Sequence, residues 1–214
     1  MSNMKNFIFG DTPFSKAIRL IADLIILNIL WFICSLPILT MGPSTAALYY
    51  AVSAKSRGEE QMTRTFFRGF KRNFKPALIV WIMALVVGYM LYWNVTIVDG
   101  WETNRSIGLM VLGIPILLFI IILSYLFPLL AEFETKIPQL LSNSILLALA
   151  HFPRSLLIAF LNVLPLIILF LSPAWLLSAI FLWVPLGFSL CAYFIYRLLE
   201  PVFAPFRPEE DLED

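Results

Sequence analysis

The chain has 214 residues, of which 60% are apolar and only 14% are charged, and its net charge is +1. Soluble domains are usually about 45–50% apolar and about 25% charged, so this composition excludes an ordinary soluble domain. We predict an all-α, polytopic transmembrane helical bundle. It should contain five full spans, one short or re-entrant helix and an interfacial amphipathic helix.

The first apolar run is predicted to form a hairpin with a broken tip. No charged residue lies between Asp23 and Lys55, which is too long for one span and too short for two full spans. We expect a span over residues 17–39 and a short helix over residues 43–56, because prolines and a glycine interrupt the run between them. The hairpin break is assigned to Pro37, Gly42, Pro43 and Thr45.

The distribution of basic residues predicts the orientation of this hairpin. Lys5, Lys16 and Arg19 precede it, and Lys and Arg are frequent between positions 55 and 75. The positive-inside rule places both flanks in the cytoplasm. The short helix must then return, either as a second span or as a re-entrant half-helix. With the later spans, this places both termini in the cytoplasm of a multi-pass protein in the bacterial cytoplasmic membrane.

Residues 60–75 combine phenylalanine with the densest group of cations in the chain. At about 100° per residue, the phenylalanines occupy one arc of a helix and the cations a neighbouring arc. We predict a cytoplasmic amphipathic helix that binds anionic lipid headgroups or a partner protein. This interfacial or partner face comprises Phe66, Phe70, Phe74, Arg64, Arg68, Lys71 and Arg72.

The remaining apolar runs predict four further spans and a solvated tail. The turn between the last two spans is expected at Ser172-Pro173, where turn-forming residues interrupt a long uncharged run. The crowded acids at the end of the chain are typical of a solvated tail. The predicted segments are residues 76–98, 106–131, 153–172 and 173–197 for the spans, and 207–214 for the acidic tail.

Arg19, Asp23 and Asn28 form a candidate polar intramembrane site on the first span. Arg19 and Asp23 lie one helical turn apart and share a face, and an ionisable residue within a span is a functional hypothesis by default. The alternative is an intrahelical ion pair near the headgroups, with Asn28 bonded to a neighbouring helix. The sequence has no catalytic or metal-binding motif, so we expect no enzyme activity, metal or other cofactor.

Several of these segments together resemble a known family. Between Asp23 and Ala77 the chain reads LP, then GPSTAALYY, then RGEE, then FFRGFKRNFK. This pattern resembles the signature region of the YesL-like bacterial membrane proteins, a family of unknown function. Because such proteins are often encoded beside carbohydrate-uptake transporters and sensor-regulator pairs, the resemblance implies an accessory role in carbohydrate uptake. It implies no catalytic residues.

The leading hypothesis is a non-enzymatic accessory or regulatory membrane component linked to carbohydrate uptake. Its partners would be anionic lipids and a carbohydrate ABC transporter or a sensor protein, with no nucleic acid. The alternative is a small transporter or channel with a site near the broken hairpin, and a third option is a lipid-binding or membrane-shaping protein. A polar cavity reaching Asp23 and Asn28 would favour transport, whereas a tightly packed bundle would favour the contact role.

Overall fold

The computed structural model describes residues 13–101, 103–171 and 183–207. Every regular element in these ranges is helical, which agrees with the predicted all-α class. Two 3-10 turns, Ile38–Thr40 and Ala204–Phe206, and a π-helical turn, Trp183–Gly187, accompany the longer helices. These helices are α1 Pro13–Cys34, α2 Met41–Ser56, α3 Met62–Asp99, α4 Arg105–Glu132, α5 Ile137–Ala150, α6 Phe152–Leu171 and α7 Phe188–Phe203.

Some predictions fall on other parts of the chain. The polar lead before Pro13, the turn at Ser172-Pro173 and the acidic residues after Arg207 lie outside the described residues. The start of the last predicted span, residues 173–197, also falls there. Its described part continues as helix to Phe203, past the predicted end.

The outer faces of the helices are apolar, as expected for a protein in a bilayer. Val86 is 50% exposed, Ile114 63% and Met110 79%, and apolar surface on this scale marks a membrane or an interface. The bent pair Ile137–Ala150 and Phe152–Leu164, which turns by 109°, is a fifth candidate span. The four continuous candidates are Pro13–Cys34, Met62–Asp99, Arg105–Glu132 and Pro185–Phe206. The chain is therefore a multi-pass membrane protein with four to five candidate spans among the described residues.

Helix α2 lies at the centre of the bundle, where it packs against α1, α3, α4 and α7. Ala46, Ala47, Ala51 and Ala54 are all 0% exposed. Small residues at this spacing let helix backbones approach closely where there is little water to drive association. The short helix predicted after the hairpin break is therefore a buried element, covered by its neighbours rather than by lipid.

An ion pair fixes the direction of the α1–α2 hairpin. Lys55 Nζ, near the end of α2, lies 2.6 Å from Asp23 Oδ2 in the first half of α1. The pair is partly buried, with side chains 23% and 19% exposed, respectively. Helix α2 therefore runs back towards the end at which α1 begins, so both basic flanks of the hairpin lie on one side of the bundle.

The predicted boundary between an interfacial helix over residues 60–75 and a span over residues 76–98 needs correction. Helix α3 continues through Pro76 for 38 residues, or about 57 Å at about 1.5 Å per residue. A proline removes one helical hydrogen bond, which membrane helices tolerate when neighbouring elements support them. Ala77 is 0% exposed beside it, so packing holds the helix together. Because a bilayer core is about 30 Å thick, the charged first part of α3 extends beyond the apolar region.

Gly69→Ala tests the close packing of α2 and α3. A Cβ on Gly69 would lie 2.6 Å from Tyr50 Cδ1 and 2.8 Å from its Cβ, and these atoms cannot move without shifting α2. We expect a loss of about 1–3 kcal/mol in the free energy of unfolding, as for other overpacked interiors. Thermal unfolding of the purified protein in detergent would measure it.

Gly113→Ala is the matched control, because a Cβ there meets nothing within 4 Å. Alanine is the better helix former by about 1 kcal/mol, so this variant should be as stable as the parent or slightly more stable. Equal melting temperatures for the two variants would contradict the proposed packing.

Candidate functional site

The structure does not bring Arg19, Asp23 and Asn28 together as one polar site. Asp23 pairs with Lys55 of α2, as described above, rather than with Arg19, which is exposed. Asn28 is 0% exposed, and its Oδ1 accepts a hydrogen bond of 2.8 Å from the backbone N–H of Ser189. Asp23 therefore joins α1 to α2, and Asn28 joins α1 to α7. Both side chains stabilise the packing of the helices.

The hairpin tip satisfies its own backbone. Thr40 Oγ1 lies 2.7 Å from the carbonyl oxygen of Cys34 and 2.9 Å from that of Pro37. Trp81 Nε1, on α3, donates a hydrogen bond of 2.7 Å to the carbonyl oxygen of Ile38. Irregular backbone at membrane depth is stable only when its polar groups have such partners, so the tip is a closed turn.

The other predicted break residues pack α2 against its neighbours. A Cβ on Gly42 would come within 2.8 Å of the carbonyl oxygen of Ala77, so only glycine fits there. Pro43 is buried in the first turn of α2. Thr45 Oγ1 accepts a hydrogen bond of 3.1 Å from Trp31 Nε1 and lines a cavity described below.

A buried ionic cluster, which we call the Glu132 cluster, lies where α2, α4 and α7 meet. The Glu132 side chain is 3% exposed. Its Oε1 accepts from Arg207 Nε at 2.7 Å and from Arg57 at 3.3 Å. Its Oε2 accepts from Ser53 Oγ at 2.5 Å and lies 3.3 Å from the hydroxyl of Tyr196. One carboxylate thus joins elements that are far apart in sequence.

The donors of the Glu132 cluster form an ordered chain. Arg207 donates to the Tyr196 hydroxyl at 2.7 Å, Tyr196 donates to Ser53 at 2.9 Å, and Ser53 donates to Glu132. Burial alone would lower the pKa of Arg207, but the charge and hydrogen bond of Glu132, together with Tyr196 and Glu200, outweigh burial and hold that pKa above its ordinary value. The Arg207 guanidinium therefore stays charged, and its contacts hold the segment after α7 against α4 and α7.

Sequence reasoning did not identify this cluster. Glu132 follows the long uncharged run of α4, and the sequence predicts that an acid at such a boundary is exposed to water. The acid at the end of the apolar run was the only sign of the cluster in the sequence. Its partners lie on α2, just after α2, on α7 and after α7, and only the tertiary structure brings them together.

The phenylalanine half of the predicted partner face is mostly internal. Phe66 is 0% exposed, and Phe70 packs against the core. Phe74 is half-buried. The predicted docking role of Phe66 is therefore corrected: the apolar arc of α3 covers the α2 side of this bundle, since burial there removes it from water and from lipid headgroups alike.

The cationic half of that face stays at the surface. Arg72 differs from the rest, because it pairs with Glu134 at 3.1 Å and lies over the ring of Tyr50, 5.1 Å from its centroid. Arg68 is 52% exposed and only 3.7 Å from Glu59. Together with Lys75, the exposed members form one row along α3, the cationic stripe: Arg64, Arg68, Lys71 and Lys75.

Two neighbouring cavities lie beside α2. One of about 330 Å³ is lined by Thr45, Tyr49, Ser124 and Asn162 among apolar residues, and one of about 180 Å³ shares three of these and reaches Cys191. Asn162 already donates to Ser124 Oγ at 2.9 Å. Neither cavity is lined by Asp23 or Asn28. In the described ranges, no group of three His, Cys, Asp or Glu side chains could hold a metal ion.

Glu132→Ala tests the buried cluster. Removing one partner of a buried ion pair typically costs about 3–5 kcal/mol, because the other charge stays buried. We expect a loss of this size in the free energy of unfolding, measured in detergent, together with faster proteolysis after α7. The matched control is Glu134→Ala, since the Glu134 side chain is 80% exposed and surface pairs contribute about 1 kcal/mol or less. Equal losses in the two variants would contradict a stabilising role for the cluster.

Comparison with known proteins covers the same region that carries the hairpin. The family model described as "Protein of unknown function, DUF624" matches residues 24–95, which hold the second half of α1, all of α2 and most of α3. The chain is also 26% identical over 138 residues to "Uncharacterized protein YesL" of Bacillus subtilis (strain 168), and the match covers 62% of this chain and 65% of that protein. No solved structure matches the chain. Both matches show that the chain is similar to YesL-like proteins of unknown function.

Proposed function

We propose that the protein is a non-enzymatic accessory or regulatory component of a membrane assembly, and that it acts through contacts made by the cationic stripe. The single observation that supports this most is the placement of the stripe. Four exposed cations follow one another along about 16 Å of α3, at about 1.5 Å per residue. They lie on the part of the helix that extends beyond the apolar region.

Rows of like charge on a rigid element steer and orient a partner of opposite charge. The first part of α3 is rigid because its other face is packed: Phe66 is buried, and Gly69 contacts Tyr50. The stripe is therefore held at the surface in one orientation. A partner with an acidic cytoplasmic surface would complement it.

The link to carbohydrate uptake comes from the resemblance to YesL-like proteins. On this basis the partner is a component of a carbohydrate ABC transporter or an associated sensor protein. Localisation in the cytoplasmic membrane, with the stripe in the cytoplasm, follows from the positive-inside rule. The acidic partner surface and the cationic stripe would then meet on the same side.

The second candidate is a small transporter or channel, which the two cavities beside α2 favour. Their combined lining includes Thr45, Tyr49 and Asn162. The side chains expected to carry transport, Asp23 and Asn28, instead make internal contacts. A contact role therefore has more support. If the parent protein carries solute into proteoliposomes and Asn162→Leu lowers that flux, transport becomes the better supported function.

The double variant Arg64→Gln with Lys71→Gln tests the contact role. Exposed ion pairs contribute about 0.2–1 kcal/mol each, so losing two should lower retention of the partner by about two- to thirtyfold. The measurement is copurification of the full-length protein from host membranes at low salt, with quantitation of carbohydrate transporter and sensor subunits.

The control is Lys16→Gln with Arg197→Gln, which removes the same charge from other exposed positions. It should retain the partner as the parent does. Equal retention by both double variants would contradict a role for the stripe. If the stripe variant instead retains the protein partner and loses binding to anionic vesicles, the stripe binds lipid.

A further inference from the structure

We propose that the pocket between α3 and the connection from α4 to α5 binds a phosphate group, and that an anionic phospholipid headgroup supplies it. The pocket has a volume of about 370 Å³. Arg72 and Asn73 line it from α3, and Thr135 and Lys136 line it from the connection. This site is separate from the cationic stripe and does not depend on the proposed function.

Two buried polar atoms in the wall of this pocket have no partner among the described residues. They are Asn73 Nδ2 and Thr135 Oγ1. Asn73 is only 4% exposed. Buried donors in folded proteins are nearly always hydrogen-bonded, and each can donate to an acceptor that enters the pocket. The pairing of an amide donor with a hydroxyl donor suits an oxygen-rich ligand.

The charges around these donors favour an anion. The Arg72 guanidinium has five N–H donors, and the Glu134 carboxylate contacts its Nε at 3.1 Å. Glu134 also lines the pocket, but its side chain is 80% exposed, so water and salt screen its charge. Lys136 adds a second cation to the lining. Two cations and two unpaired donors match the oxygens of a phosphate group.

The position of the pocket favours a lipid as the source of the phosphate. Leu130 and Phe133 add apolar lining around the end of α4, where the long apolar run gives way to charged residues. On α3, Pro76 marks the same transition. Charged and apolar groups meet at this depth at the level of lipid headgroups. The apolar part of the lining can contact the glycerol backbone and the first acyl carbons.

Pro76 also supplies an acceptor. It has no backbone N–H, so the carbonyl of Arg72, one turn earlier, receives no helical hydrogen bond from it. A headgroup hydroxyl can donate to this carbonyl. Phosphatidylglycerol, which combines one phosphodiester charge with glycerol hydroxyls, is therefore the probe that the pocket fits best.

Binding of short-chain phosphatidylglycerol to the full chain in a neutral detergent tests the site. The variants are Lys136→Gln and Thr135→Val, neither of which removes a packed apolar group. Each should weaken binding by about tenfold, as expected for a hydrogen bond to a charged group. The matched controls are Lys16→Gln and Thr63→Val, which make the same changes at exposed positions outside the pocket. They should bind as the parent does.

Competition identifies the source of the phosphate. If inorganic phosphate at millimolar concentration displaces the lipid from the parent and binds with the same dependence on Lys136 and Thr135, the site holds a soluble phosphate group and the lipid assignment is overturned. If phosphate does not compete, the lipid assignment is supported. Equal effects of the pocket variants and their controls would show general charge attraction and would overturn the site itself.

Discussion

The buried carboxylate of Glu132 is the interaction on which the rest of the bundle depends. A charge in an apolar interior is stable only with opposite charge and hydrogen bonds around it. Here Arg207, Arg57, Ser53 and Tyr196 provide them. These residues come from α2, from its C-terminal end, from α7 and from the segment after α7. Pairing one carboxylate therefore fixes the relative position of elements that are distant in sequence.

The central position of α2 also depends on the absence of water from the bilayer core. Helices in lipid gain little from hiding apolar side chains from one another, so close contact and paired polar groups hold them together. Alanines on α2 and glycines at its interface with α3 allow the close contact. Lys55, Asn28 and Thr45 supply polar contacts around it. The polar residues of the hairpin therefore contribute to structure, and the surfaces open to partners lie elsewhere.

Those surfaces lie on α3, which has a buried face and an exposed face. Its apolar arc, with Phe66, is part of the core. Its cationic stripe faces outward, whereas Asn73, seven residues after Phe66 on the same buried face, lines a pocket with unpaired donors. About 100° of rotation per residue separates these faces within one segment. A single helix can therefore pack into the bundle through one face and expose a row of cations on another.

The amino-acid sequence by itself determined the membrane environment, the helical class, the hairpin break and the separation of phenylalanine from cations on α3, because these depend on local composition and periodicity. The residues around the hairpin also carry the similarity to YesL-like proteins. Only the tertiary structure decided that Phe66 faces inward, that α3 runs through Pro76, and that Asp23 pairs with Lys55 rather than Arg19. The physical reason is that periodicity defines which side chains share a face, whereas the neighbour that covers that face is set by packing between segments distant in sequence. The hairpin break illustrates the difference between sequence and tertiary structure. Pro37 and Gly42 located the turn in the sequence, but the contacts that close it come from Trp81 and Ala77 on α3.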